Sequence, residues 1–539
     1  MKKLLLILLC CYSIGVLARE HDGYTPERVD FRETDEFGNT CLYQIIDATN
    51  NYVMLMGQTK RSPTASERST FSKVGNKTTL PGKIVHNGIT YQVKRLCFFA
   101  DNGDVADTLV ISEGVEQIGG NWYSEDGMIW TQAKYIYLPK SLKHLARYSF
   151  GECWGTYKYF GLENTQLLDI RDGAFNQNHA LVSDFKWRLP QTVRYIGNRA
   201  FAMCPLQHEF ELPESLDTIN FNFIDPSATY HKVKDATQRD FLKVIKLNRT
   251  TPPVLLDVDT STRTSDGFTI YNWDIGLFSW QESAVHYAGA PLSRYVYDDV
   301  KLHTPDSLYT PVDATALYQR QPGWDMYKGK YYERVKIGTT GYRTYYLQNE
   351  NFVVPTGCTA YVITGTTPSG NIANPDQANV VAYAAGKIIP KQTGFILKGA
   401  VNSSIVYSAD ATGTEETIST NFLIGTATEQ EFSGTGYKYY VLANGDQGLG
   451  FYKQGSRNGA SMKIGAHQAG LRLPESIARG AKSFIVDFDG AREATEAAGI
   501  STVAPNAKPN ADVIYDLQGR RVVNPTHGIY IINGKKVIK

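Results

Sequence analysis

Few residues here have the types and spacing that chemistry demands. Asp257-Val-Asp-Thr-Ser-Thr262 opens like a calcium loop, with carboxylates at alternate places. Such a loop needs glycine sixth, for the sharp turn, and glutamate twelfth, as a bidentate ligand. Thr262 and Phe268 stand there, so a solvated loop is the better reading. Gly528 to Lys535 has the look of a phosphate loop, but five residues separate its glycines where four are required, and Lys536 replaces the magnesium-holding hydroxyl. Asp298-Asp299 could act as an acid and base pair. Neighbours on a strand point opposite ways, which favours a surface turn instead. There is no Gly-x-Ser-x-Gly elbow and no His-Glu-x-x-His, and the 10 histidines are dispersed. No catalytic residue, metal site or cofactor is expected.

Aromatic side chains offer a different chemistry, that of contact. They make up 12% of the chain, with 34 tyrosines. Two stretches concentrate them: Gly120-Asn-Trp-Tyr-Ser-Glu-Asp-Gly-Met-Ile-Trp130 and Trp154-Gly-Thr-Tyr-Lys-Tyr-Phe160. Flat rings give contact area at little entropy cost, so Trp122, Tyr123, Trp130, Trp154, Tyr157 and Tyr159 form the candidate binding set. The competing reading is that these rings fill the interior, as large aromatics usually do.

The 539 residues allow three or four domains at about 150 residues each. Lys+Arg (55) and Asp+Glu (54) nearly cancel, which argues against general nucleic-acid binding. At 42% apolar and 20% charged, the chain is no disordered polymer. Residues 1–18 carry Lys2 and Lys3, an apolar run Leu4 to Leu9, and Val16-Leu17-Ala18, the three parts of a cleaved secretory signal. Ser13 and Gly15 interrupt a run already too short for a membrane anchor, and no later segment could span. A lipid anchor at Cys10 lacks the small residue wanted before it. Export to the cell surface or medium is expected. Beyond the signal, Cys41, Cys97, Cys153, Cys204 and Cys358 are odd in number and scattered, which suits buried thiols better than a disulfide or zinc framework.

The elements that must position the aromatics are repeats. Leu109-Val-Ile-Ser-Glu-Gly-Val-Glu-Gln-Ile118, Ile136-Tyr-Leu-Pro-Lys-Ser-Leu-Lys-His-Leu145, Trp187-Arg-Leu-Pro-Gln-Thr-Val-Arg-Tyr-Ile196 and Phe210-Glu-Leu-Pro-Glu-Ser-Leu-Asp-Thr-Ile219 align, with Leu167 to Ile170 as a looser copy. Their closing aliphatics, Ile118, Leu145, Ile170, Ile196 and Ile219, lie 23 to 27 residues apart. That period fits a solenoid whose coils bury their apolar faces only by stacking. Phe150, Phe175 and Phe201 follow at like positions, and Cys153 and Cys204 each come three residues after a Phe, implying an inward role. Loops one coil apart would project from one edge and gather the six aromatics on a rim.

Leu-Pro-x-x-Val-x-x-Ile-Gly-x-x-Ala-Phe-x-x-Cys, nearly complete over 190–204, resembles the BspA-like leucine-rich repeat of surface proteins from Bacteroidetes-type bacteria. The resemblance covers about 36–336. It starts through Leu80-Pro to Val93 with an Asn87-Gly88 hairpin turn, and ends through Leu308 to Tyr318 and Pro322-Gly-Trp324. It departs at 119–133 and 154–165, read as insertions, and is poor over 225–305. Residues 337–490 show short alternating runs split by turn residues, which predicts a β-sandwich-like module. Residues 491–511 read as a linker. Residues 512–539 resemble a short sorting domain of the type IX secretion system, or else form a terminal hairpin.

The expected fold is therefore mostly β: residues 19–90 as an N-terminal β segment, 91–336 as a leucine-rich-repeat solenoid with an irregular C-terminal part, then the module and a C-terminal β tail. The resemblance implies a non-catalytic, adhesin-like protein that binds extracellular or host-surface proteins. Glycan binding, alone or as an accessory to glycan degradation, is the alternative. A surface-layer spacer without a specific ligand is a third.

Overall fold

A computed structural model describes residues 28–491, with gaps at 60–63, 98, 101–104, 120–128, 132, 179, 183, 203, 205–208, 222, 225–242, 257–261, 266–267, 272–279, 287–295, 304, 372, 410 and 489. It also describes the short strands Ile514–Tyr515, Ile529–Ile532 and Lys535–Ile538, which pair antiparallel. The signal-like stretch 1–18, almost all of 491–511 and Asp257 to Asp259 lie outside the described residues.

Each solenoid coil has three sides. The first carries the closing aliphatics. Strands Gln117–Ile118, His144–Leu145, Asp169–Ile170, Tyr195–Ile196, Thr218–Asn220 and Val254–Leu256 pair in parallel, one coil to the next. Ile118, Leu145, Ile170, Ile196 and Ile219 point inward and are fully buried. The second side consists of Lys77–Leu80, Thr108–Ile111, Tyr135–Tyr137 and Lys158–Phe160, also parallel. Its continuation is a sheet of Glu209–Leu212, Val244–Leu247, Ser307–Tyr309 and Tyr331–Lys336. The third side has no strands among the described residues. It is a ladder of turns in which the N–H of Phe150 donates to Ala174 O (2.7 Å) and that of Phe175 to Ala200 O (2.8 Å). Phe150, Phe175 and Phe201 stack behind it at 5.6 and 5.5 Å.

The repeat words have mechanical reasons. Pro139, Pro190 and Pro213 each open a turn closed by the N–H three residues on, so each proline sits where no donor is missed. The hydroxyl two residues after each proline reaches the preceding coil: Ser141 donates to Val115 O, Thr192 to Leu167 O and Ser215 to Val193 O, at 2.6–2.8 Å. The Phe turns need a left-handed residue two places earlier, supplied by Tyr148, Gly173 and Arg199 at φ 54, 64 and 56°. At Gly173 a Cβ would meet the Tyr148 ring at 2.4 Å, so this glycine meets both the backbone and the space requirement.

The coil stack is capped by hairpins. Phe31–Thr34, Thr40–Asp47 and Tyr52–Met56 are antiparallel and join the first side through Ile89–Cys97, so sheet and core run through position 90 without interruption. Lys83–His86 turns back onto Ile89–Cys97 through Asn87 and Gly88, both left-handed, as the Asn-Gly pair predicts. The poorly matching 225–305 stretch contributes Val244–Leu247 and Val254–Leu256 to the coil sides. Two hairpins, 262–271 and 280–303, are set into it. At the far end Trp324 is fully buried, and the Tyr331 hydroxyl donates to its carbonyl at 2.8 Å.

The module beyond 336 is a 9-stranded sheet among the described residues. It curls over: Phe422 N–H donates to Ile363 O, and a Cβ on Gly425 would meet the Tyr346 ring at 2.3 Å. One core, with Tyr361, Tyr440, Phe451 and Phe484, fills the curl. A second, with Val335, Phe352, Phe395 and Tyr407, lies toward the solenoid. There Ser404–Ser408 pairs antiparallel with Tyr331–Lys336, so a strand of the module completes the last solenoid sheet.

Candidate binding surface

The six sequence-predicted aromatics do not form one rim. Trp122 and Tyr123 lie outside the described residues. Trp130 belongs to Ile129–Trp130, a strand parallel to Phe99–Ala100, of whose side chains nothing is described. Trp154 is 53% exposed and makes no ring contact with the other five among the described residues. Tyr159 corrects the expectation. It is 4% exposed, packs among Phe150, Phe175, Phe185 and Trp187, and donates its hydroxyl to Asn178 Oδ1 at 2.5 Å. Burial holds its hydroxyl well above the usual range. The physical reason is register: residues 158–160 are no insertion but the regular second-side strand, in which Tyr159 pairs with Ile136, itself paired with Leu109.

The same alternation turns other rings outward. Thr79, Val110, Tyr137 and Phe160 form one outward row across four coils, and Lys77, Thr108, Tyr135 and Lys158 the next. Tyr137 (41% exposed) stacks on Phe160 at 4.5 Å with planes 11° apart. Tyr135 (37%) meets Tyr157 edge-on at 6.1 Å and Phe160 at 6.3 Å. Lys134 with Asp107 (2.9 Å) and Lys158 with Asp184 (2.6 Å) form ion pairs around the patch. Of the predicted residues whose side chains are described, Tyr157 alone takes part. Tyr135, Tyr137 and Phe160 were legible only by marking which residues of each second-side strand alternate with the buried aliphatic.

The outer surface of the first side is ionic. Glu116 accepts from Lys94 and Lys143 on the coils before and after it (2.8 and 2.9 Å). Asp169 lies between His144 (2.5 Å) and Arg171 (3.0 Å), and Asp217 between Arg194 and Arg249 (both 2.7 Å). Partial burial opposes ionisation of Glu116 and Asp217. The hydrogen bonds from their basic neighbours prevail and hold both below the usual carboxylate range. Each acid thus bridges successive coils.

The thiols serve the interior. Cys153 is buried and Cys204 donates to Phe175 O at 2.8 Å. Burial pushes the Cys204 thiol up to about 12, which suppresses the reactive thiolate. Between them Asn178 occupies the place three residues after Phe175, donating to Phe150 O and Phe175 O. No cluster of three or more metal-ligating side chains occurs among the described residues. Nor, among them, is any helix long and apolar enough to cross a membrane.

Parallel coils with a buried aliphatic, a turn proline and a phenylalanine ladder define a leucine-rich-repeat solenoid. Residues 98–229 match the family model described as BspA type leucine rich repeat region, in six copies. The chain carries a repeat region of that family. No curated protein matches the chain. Similar solved structures include a leucine-rich repeat protein from Bacteroides ovatus ATCC 8483, at 13% identity, 42% of this chain, 67% of that one and a TM-score of 0.19. The pneumococcal vaccine antigen PcpA is similar at 13% identity, 41% of this chain, 65% of that one and a TM-score of 0.23. A leucine rich cell surface protein from Faecalibacterium prausnitzii A2-165 is similar at 12% identity, 42% and 91% coverage and a TM-score of 0.14.

Proposed function

We propose that this is an exported, surface-associated and non-catalytic binding protein that grips proteins of other surfaces in an adhesin-like way. The observation that carries the reading is the aromatic patch of Tyr135, Tyr137, Tyr157 and Phe160 on the outer second side. Rings left partly in water on a rigid sheet are ready contact area, and tyrosine is favoured where binding energy concentrates. The solenoid holds them without further ordering, which lowers the entropic cost of association. Ring geometry favours protein over glycan. Tyr137 and Phe160 each give one broad face to the other, which leaves fewer open faces for a sugar ring to lie on. The repeat family and the signal-like N-terminus support the surface address.

The test is binding of the chain from Arg19 onward to immobilised matrix proteins and to a glycan array. Saturable protein binding that weakens about tenfold or more in Tyr137→Ala/Phe160→Ala, with the melting curve kept, is the expected result. Unchanged binding in that variant removes the patch from the reading. Binding to glycans alone replaces it with the carbohydrate alternative, for which exposed Trp154 is the first residue to substitute.

A further inference from the structure

The least expected groups in the molecule are acids with almost no access to water. Glu333, on Tyr331–Lys336, is fully buried, Glu350 is 5% exposed and Asp313 is 4% exposed. They meet where the module joins the solenoid. Glu333 Oε2 accepts from the Tyr407 hydroxyl (2.6 Å) and the Asp313 N–H (2.9 Å), and Oε1 from the Thr315 hydroxyl (2.9 Å). Tyr407 exchanges a further hydrogen bond with Tyr345 at 3.0 Å. Asp313 accepts the N–H groups of Gln348 and Asn349 (2.9 and 2.8 Å). Glu350 Oε1 accepts from Ala316 N–H at 2.7 Å, while its Oε2 is buried with no hydrogen-bond partner.

Two carboxylates in one dry pocket repel, and an ionised oxygen without a donor is costly there. A proton on Glu350 removes both difficulties, since its O–H can face the Glu333 carboxylate. We infer that Glu350 keeps its proton in the folded protein, and that this neutral carboxyl set against Glu333 is the clasp between solenoid and module. Burial, and then the Glu333 charge, raise Glu350 far above the usual carboxylate range, in agreement. The other groups facing the clasp are Asp313, His467 with Nδ1 4.0 Å from Asp313, Tyr345, Tyr346, Tyr407 and, over the Tyr345 ring, Arg343.

The sign follows. The opened clasp releases this proton near pH 4.5, the ordinary value, while the closed clasp retains it. Closure therefore takes up one proton, and above that pH the closing equilibrium falls about tenfold per unit. The experiment is amide exchange, read by mass spectrometry on the full chain, at 331–336 and 404–408 between about pH 6 and 9, corrected for intrinsic rates. Wild type should open about tenfold more per pH unit. Glu350→Gln keeps a neutral donor and should lose that slope, and Asp313→Asn should retain it. Infrared spectra in heavy water at neutral pH supply a readout independent of stability. A protonated-carboxyl band should be present in wild type and absent in Glu350→Gln. Equal slopes in wild type and Glu350→Gln, or no such band in wild type, would overturn the inference. So would a slope lost in Glu333→Gln but kept in Glu350→Gln, because the proton then resides on Glu333.

Discussion

Asn178 shows how far one side chain can adapt a repeat. Coils on either side place a thiol at its position, and a thiol asks little of its neighbours. Asn178 instead takes the Tyr159 hydroxyl and gives its amide to two backbone carbonyls, all out of water. Asn178→Ala leaves those groups unsatisfied and should cost roughly 2–4 kcal/mol in a urea titration. Adding Tyr159→Phe should recover part of the loss, because the stranded hydroxyl goes with it. Phe175 lies in the middle of the turn ladder, stacked on both sides. Phe175→Ala should cost about 3–5 kcal/mol in the same titration, since a closed stack cannot collapse into the gap.

At the scale of elements, the ionic row on the first side holds coil to coil. Glu116 and Asp217 bind protons less readily in the folded protein, so their contribution is full above the ordinary carboxylate range and is lost as pH falls below it. These groups are about one-third exposed, and salt screens them. Glu116→Gln should lower the unfolding free energy from a urea titration only slightly at pH 7, by under about 1 kcal/mol, with little effect at pH 3 or in high salt. The coils themselves were readable from sequence, because the inward aliphatics, prolines and phenylalanines recur at near-equal spacing. The placement of Tyr159 was not. Its local string, Lys158-Tyr159-Phe160, looks like an aromatic loop until it is laid in register with Tyr135-Ile136-Tyr137. The Glu333 and Glu350 pocket was equally hidden, since its partners come from 313, 315, 345 and 407, and no local pattern joins them.

For the whole molecule, the shared sheet means that solenoid and module are not independent. A chain cut after Lys336 exposes the edge of Tyr331–Lys336 and strips Glu333 of Tyr407. An open edge beside a buried acid is prone to pair with other chains. Sedimentation should show that fragment associating, while a fragment carried through 491 stays dispersed. The pH dependences of the two regions are opposed: acid loosens the ionic first side, and alkali loosens the junction.

That junction also imposes an order in time. An early coil can close once its neighbour, about 25 residues away, has been made. The last cannot, because Glu333 waits for Tyr407, 74 residues downstream. A chain folding from its N-terminus therefore passes through an interval with a finished stack and an unfinished end. In that interval misassembly competes with completion. Speeding the arrival of residues 404–408, rather than strengthening any coil, is what would shorten it.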